Sequence, residues 1–236
     1  MVEKALSILL PPGQVTELRA LNVSTPDYRR PHTVSGYFDD PAKLVQAAMS
    51  IGMKGGSVYV IPNPVDPALL ARASNRCRVV TDREPTTSDP GIVRRRWLLL
   101  DCDPKRATGI SSSDAEHEAA LACAYAIRDA LAADGWPAPI IADSGNGAHL
   151  LYAIDVPTDD NGLIKACLEA LSFRFDDDKV EVDLKVYNPA RIWKLYGTVA
   201  HKGDDTPDRP HRLSRLLETP PRITVSTECL ERLKAC

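Results

Sequence analysis

From Trp97 to Val186 the hydrophobic pattern of the chain changes period in a fixed order, and few topologies accommodate that order. Trp97-Leu98-Leu99-Leu100 runs straight into Asp101-Cys102-Asp103 before Pro104. The run is too short for a good helix and reads as a buried strand that ends in acid. Ser111 to Ser113 can cap a helix with Glu116 in its first turn; alanines and leucines carry it to Ala133, and Gly135 ends it. Ala138 to Ala142 reads as a strand and Asp143-Ser144-Gly145-Asn146-Gly147 as a turn. Ala148 to Ile154 then alternates as the returning strand of a hairpin. Asp159 or Asp160 can cap a helix through about Phe173, and Val180 to Val186 alternates again. The order is β-α-β-β-α-β.

This order predicts an α+β fold containing a ferredoxin-like, RNA-recognition-motif-like unit. Its strands would lie in the order 4-1-3-2, with two helices on one face and the other face open. Leu98, Leu100 and Cys102 then face the helices, while Asp101 and Asp103 share the open face about 6.7 Å apart along the strand. On the fourth strand Val180, Val182, Leu184 and Val186 turn inward and leave Glu181, Asp183 and Lys185 outside. On the third, Ala148, Leu150, Tyr152 and Ile154 turn inward and His149 faces out. Asp101, Asp103, Asp183 and His149 therefore converge on adjacent strands. Taken singly, each has a plain structural account, an acidic strand end in water or a histidine satisfied in the core; their convergence is what suggests a site.

The remainder sets the frame. A chain of 236 residues with 44% hydrophobic composition buries a full core, as one large or two small α/β units. Val2 to Leu10 has a helical pattern ended by Pro11-Pro12-Gly13, and Val15 to Leu21 resembles a strand. Tyr28 to Pro31 reads as a loop, Pro41 to Ile51 as a helix closed by Gly52, Gly55 and Gly56, and Ser57 to Ile61 as a strand. Pro67 to about Ser74 reads as a helix and Thr81 to Gly91 as a loop. The expected organisation is an N-terminal α/β unit over 1–93 and the RNA-recognition-like unit with the site over 94–200. A C-terminal segment, 201–236, packs back on the core. No segment approaches the ~20 apolar residues of a membrane span, and signal-peptide flanks are missing. Six cysteines without C-x-x-C pairs argue against a zinc knuckle and fit a reducing cytoplasm. A cytoplasmic protein with no membrane partner is expected. The net charge of -3 averages over basic clusters at Arg94 to Arg96, at Lys105 with Arg106, and at Arg209 to Arg215, and an acidic one at Asp176 to Asp178.

Three carboxylates supply hard oxygen ligands that suit Mg²⁺ or Mn²⁺ rather than zinc. Two such ions ~3.5–4 Å apart can activate an attacking hydroxyl and stabilise a leaving oxygen in phosphoryl transfer. Polymerases and nucleases both fit. The Ser144-Gly145-Asn146-Gly147 turn offers backbone N–H groups and little bulk to a phosphate, and His149 can donate to the same group. Arg191 and Lys194, three residues apart, could clamp a triphosphate.

At these residues the chain resembles the archaeo-eukaryotic primase superfamily. Asp101-x-Asp103, Ser144-Gly145-x-Gly147-x-His149, and Asp183 before Asn188-Pro189-x-Arg191 are similar in order and spacing to its three motifs. The likeness is greatest to bacterial, phage and plasmid primase-polymerases, enzymes of replication and mobile elements. It covers Trp97 to Thr198 firmly. It extends more loosely to Gly36-Tyr37-Phe38-Asp39, Asn63-Pro64, Thr87-Ser88-Asp89 and Arg209-Pro210-His211-Arg212. The resemblance implies a template-directed nucleotidyltransferase of the primase fold, adding nucleotides from dNTPs or NTPs on single-stranded or primed DNA. Asp101, Asp103 and Asp183 would hold two Mg²⁺ or Mn²⁺ ions. Ser144, Gly145, Asn146, Gly147, His149, Arg191 and Lys194 would hold the nucleotide. A helicase, in cis or in trans, is a partner of such enzymes, and no cysteine cluster here matches the zinc element some of them carry. Trp97 and Leu99, apolar on the nominally open face, agree with an N-terminal unit covering part of it. Two alternatives use the same residues. A metal-dependent phosphodiesterase would need the carboxylates but no triphosphate clamp. A non-catalytic RNA-recognition module would carry aromatics where this chain has Asp101, Asp103 and His149.

Overall fold

The computed structural model describes residues 1–24, 30–81 and 85–235. Tyr28 and Arg29 of the expected loop 28–31, and 82–84 of the expected loop 81–91, lie outside these residues. Helix α1 (Val2–Leu9) buries Val2, Ala5, Leu6 and Leu9, one stripe at helical spacing. Strand β1 (Thr16–Val23) pairs antiparallel with β2 (His32–Phe38). Helix α2 (Pro41–Gly52) starts where Asp40 accepts hydrogen bonds from the backbone N–H groups of Ala42 and Lys43. Strand β3 (Ser57–Val60) lies on the other side of β1, and β4 (Cys77–Val79) on the outer side of β2. Strand β2 has no counterpart in the sequence reading. From Val34 to Phe38 it is buried on both faces, so its side chains show no alternation. Gly36 is required there, because a Cβ would collide with the Arg76 carbonyl oxygen of the adjoining chain. The helix expected from Pro67 is a short 3-10 turn, Pro67–Arg72, that buries no side chain; without an apolar stripe nothing holds a longer helix to the core.

The second half begins with β5 (Arg95–Pro104), whose Leu98, Leu100 and Cys102 are fully buried. Helix α3 (Asp114–Ala133) opens on a capping box between Ser113 and Glu116. Strands β6 (Ile140–Asp143) and β7 (Ala148–Val156) form the hairpin. Strand β6 starts two residues later than expected, after Pro137 and Pro139, which lack the N–H a ladder needs. Helix α4 (Leu163–Phe175) starts later than Asp159 or Asp160. The Asp160 carboxylate is instead 2.9 Å from Arg95, and Asn161 and Gly162 both take positive φ, so the helix cannot begin before Leu163.

Strand β8 (Val180–Val182) is shorter than the alternation Val180 to Val186 implied. Asp183 accepts a hydrogen bond from the Lys185 N–H at 2.8 Å and caps a 3-10 turn, Leu184–Tyr187, so Lys185 is not a strand residue. The chain then crosses back: β9 (Trp193–Lys194) pairs with β3, giving a first sheet in the order β4-β2-β1-β3-β9. Strands β10 (Val199–Ala200) and β11 (Arg212–Leu213) form a ribbon, and β12 (Arg215–Glu218) joins the second sheet, β12-β6-β7-β5-β8. Helix α5 (Thr227–Lys234) lies against α4, where the Cys167 thiol donates to the Leu230 carbonyl. One hydrophobic cluster runs from Leu6 and Val58 through Trp97 and Leu98 to Leu131 and Leu230. Trp97 ties the second sheet to α1, its indole N–H donating to the Leu9 carbonyl at the end of that helix. Among the described residues no helix is long and apolar enough to cross a membrane.

Candidate active site between the two sheets

Asp101 and His149 are directly paired across β5 and β7, and Asp103 stands opposite Glu181 on β8. The Asp183 N–H donates to the Asp101 carbonyl at 2.9 Å, so the ladder reaches one residue past β8 and sets Asp183 beside Asp101. Strand β9 brings Lys194 in from the first sheet. The result is a cleft of about 460 Å³ lined by Asp101, Asp103, Asp183, Ser144, Asn146, His149, Arg191 and Lys194. Gly145 and Gly147 do not line it.

Burial pushes the Asp101 carboxyl well above the usual carboxylate range, and the charges of Asp103 and Asp183 add to the rise; Lys202 and Arg106 oppose it. The Asp101 side chain still keeps 25% of its surface open toward the cleft. A divalent cation there would remove the repulsion, and the donor set, three carboxylates, is the kind that Mg²⁺ or Mn²⁺ prefers. The side chains are nevertheless turned onto protein partners. Asp103 accepts from Arg106 at 2.8 Å and Asp183 from the Lys185 backbone. Among the described residues no three His, Cys, Asp or Glu side chains converge as a ready ligand set. The residues thus fit a hard cation in chemistry, and holding one requires Asp103 and Asp183 to exchange these contacts for it.

His149 is buried, its ring 4.0 Å from that of Trp193 centre to centre. The Trp193 indole N–H donates to the Tyr196 hydroxyl at 2.8 Å, and that hydroxyl lies 2.9 Å from His149 Nδ1. The buried hydroxyl proton needs an acceptor, so Nδ1 takes it and the histidine hydrogen sits on Nε2, 3.6 Å from Asp101. Burial pulls His149 down to about 3. The Asp101–His149 contact is therefore one between a carboxyl group and a neutral imidazole, and His149 offers a directed N–H rather than a charge.

Lys194 is 5% exposed, donates to the Val199 carbonyl at 2.8 Å, and burial lowers it to about 7. Two other cations on the cleft carry buried N–H groups without a protein partner, Arg191 at Nε and Arg106 at Nη2. Such groups are costly unless an acceptor reaches them, and an anion in the cleft would be one.

The turn behaves differently from the phosphate cradle its sequence suggested. The Gly145 N–H donates to Asp143, and those of Asn146 and Gly147 to the Ser144 hydroxyl. Asn146 accepts from the Ser112 N–H through its side-chain oxygen. These donors are spent on closing the turn. The two glycines serve close packing. A Cβ at Gly147 would strike the Cys102 carbonyl, and one at Gly145, where φ is +94°, would lie 2.6 Å from Ala200 Cβ. Sequence reasoning passed over Tyr59, Arg106, Tyr196, His201 and Lys202. Only Arg106 had a signal, its place three residues after Asp103; Tyr59 lies on a strand of four residues and Tyr196, His201 and Lys202 just after strands of two, too short to leave a periodic trace.

The sequence matches no family model and no curated protein. Among solved structures, the chain is similar in fold to a crystal structure of primase RepB'. The TM-score is 0.54 at 12% identity, over 100% of this chain and 62% of that one. It is also similar to the catalytic domain of primase RepB' in complex with initiator DNA. Here the TM-score is 0.51 at 11% identity, over 99% of this chain and 94% of that one. At these identities the likeness is one of fold, a mixed α/β architecture of antiparallel sheets shared with a primase.

Proposed function

We propose that the chain is a primase-type nucleotidyltransferase that extends nucleic-acid chains on a DNA template from nucleoside triphosphates. The observation that carries this reading is the cleft itself. Three carboxylates share it with Arg106, Arg191, Lys194 and Lys202, and a triphosphate with bound cations is a ligand that satisfies both signs of charge at once. The similarity in fold to primase RepB', which has been seen with initiator DNA, supports the same class.

Asp101, Asp103 and Asp183 would hold Mg²⁺ or Mn²⁺, which supplies Lewis-acid activation of the attacking hydroxyl and charge neutralisation at the leaving pyrophosphate. Arg191 and Arg106 bring guanidinium charge to the phosphates, and their buried unpartnered N–H groups reach phosphate oxygens once the side chains shift toward the cleft. Lys194 gains its proton as the anion enters and neutralises one phosphate charge. His149, held in one tautomer by Tyr196, donates from Nε2 to a phosphate oxygen placed beside Asp101. The test is extension of a labelled primer by purified protein with Mn²⁺ and dNTPs. Degradation of DNA without any extension would assign the carboxylates to a phosphodiesterase instead.

A further inference from the structure

Strands β10 and β11 pair at Val199 with Leu213 and at Ala200 with Arg212. His201 and His211 are therefore the next residues on either side, opposed at the neck of the intervening loop. Their Nδ1 atoms are 3.3 Å apart and their rings stand at 82°. His211 Nε2 is 2.9 Å from the Gly203 carbonyl, which can only accept, so that nitrogen carries the hydrogen and Nδ1 of the neutral ring presents a lone pair. The His211 N–H donates to Asp205 at 2.9 Å, and the Ser57 hydroxyl donates to the His201 carbonyl at 3.3 Å, so the backbone is tied on both sides. Gly203, with φ at +68°, lets the loop turn back against Gly109.

Two properties of this pair match a metal-binding pair of imidazoles. Zn–N bonds of 2.0–2.1 Å in a tetrahedron separate two ligand nitrogens by about 3.3–3.4 Å. Metal-bound histidines also donate their second ring N–H to a carbonyl or carboxylate, as His211 does to Gly203. Burial, with His211 and Lys194 adding to it, holds His201 below the ordinary histidine range, which favours the neutral form a metal needs. His201 lines the mouth of the cleft beside Lys202.

We propose that His201 and His211 form a bidentate imidazole site for a borderline divalent transition ion such as Zn²⁺, Ni²⁺ or Cu²⁺, with water in the remaining positions, clipping the neck of the loop at the cleft mouth. The site is chemically separate from the carboxylates, which select hard ions, and it does not rest on the reaction proposed above. The experiment titrates the full chain with Cu²⁺ in excess Mg²⁺ and reads nitrogen hyperfine coupling by electron paramagnetic resonance, with Zn²⁺ affinity measured by calorimetry. One equivalent of ion coupled to two imidazole nitrogens is expected. His201→Ala and His211→Ala should each lose at least about tenfold in affinity and one nitrogen from the spectrum. As a control on folding, the Nδ1 nitrogen resonances of both rings in the unaltered protein should shift on adding Zn²⁺. Unchanged coupling in both variants, or unshifted resonances at saturating Zn²⁺, would reduce the pair to a hydrogen bond between two histidines and overturn the assignment.

Discussion

His149 Nε2 lies 3.6 Å from Asp101 Oδ1 across directly paired positions of two neighbouring strands. The imidazole is neutral, oriented by Tyr196, and stacked on Trp193. A neutral donor positions a substrate oxygen without adding charge, so its loss should weaken nucleotide binding more than turnover. His149→Ala is expected to raise KM for the nucleotide about tenfold, equivalent to ~1.4 kcal/mol, with kcat changed far less. Steady-state extension kinetics measure both, and an unchanged KM removes His149 from the nucleotide site.

Asp101→Asn separates chemistry from folding. The carboxyl sits under the charges of Asp103 and Asp183, so neutralising it relieves repulsion. Nucleotide addition should fall on the order of a thousand-fold, while the thermal midpoint stays the same or rises. A large loss of stability would show that Asp101 is a structural residue.

Lys194 gives a pH signature. Burial lowers it to about 7, so it is largely neutral above that pH and charged below it. A bound triphosphate favours the charged form, and binding should therefore take up a proton near neutral pH. Affinity for a non-hydrolysable triphosphate should decline as pH rises from 7 toward 9, and Lys194→Met should flatten the profile. Calorimetry in buffers of different ionisation heat reads the proton directly.

Away from the site, Glu17 is a buried acid on β1 that links that strand to β2 and to the segment at Thr87. Its carboxylate is fully buried and receives Arg19, Ser35 and the Thr87 N–H. Burial alone would raise it, but these bonds outweigh burial and hold it below its ordinary value. A depressed carboxylate contributes stability that is present above its unfolded value near pH 4.5 and is lost as pH falls through the folded value. Glu17→Gln should cost about 3 kcal/mol at pH 7, with the difference from the unaltered protein shrinking at acid pH in denaturant titrations.

Gly147→Ala tests the packing account of the turn. A Cβ would strike the Cys102 carbonyl on β5, so a cost of about 1–3 kcal/mol is expected from strand displacement. A Gly147→Ala protein of normal stability would contradict the packing account.

Much of this was legible in the chain because some elements carry their own signals. Strand β5 announces itself by four apolar residues running into acid, and α3 by a capping box followed by an alanine-rich stripe. Strand β2 was not legible, since burial on both faces erases alternation. The segment after Val182 was misread for the opposite reason. Apolar residues at Leu184 and Val186 continue the strand pattern, whereas a single side-chain bond from Asp183 to the Lys185 N–H turns the chain. Alternation was enough to bring Asp101, Asp103 and His149 together, while Asp183 reaches them from one residue past the end of its strand. Tyr196 and Tyr59 were not legible, because what brings them to the site is the pairing of β9 with β3, a contact between residues more than 130 positions apart with no local trace; Arg106, three residues after Asp103, was within reach of the sequence.

The most direct measurement of the central claim is a product gel from single-stranded DNA, with and without an annealed primer, incubated with the protein, dNTPs and Mn²⁺. The account predicts primer extension that stops in Asp101→Asn and is weakened in Arg191→Ala. Shortened DNA with no extended product, or extension that persists in Asp101→Asn, would contradict it.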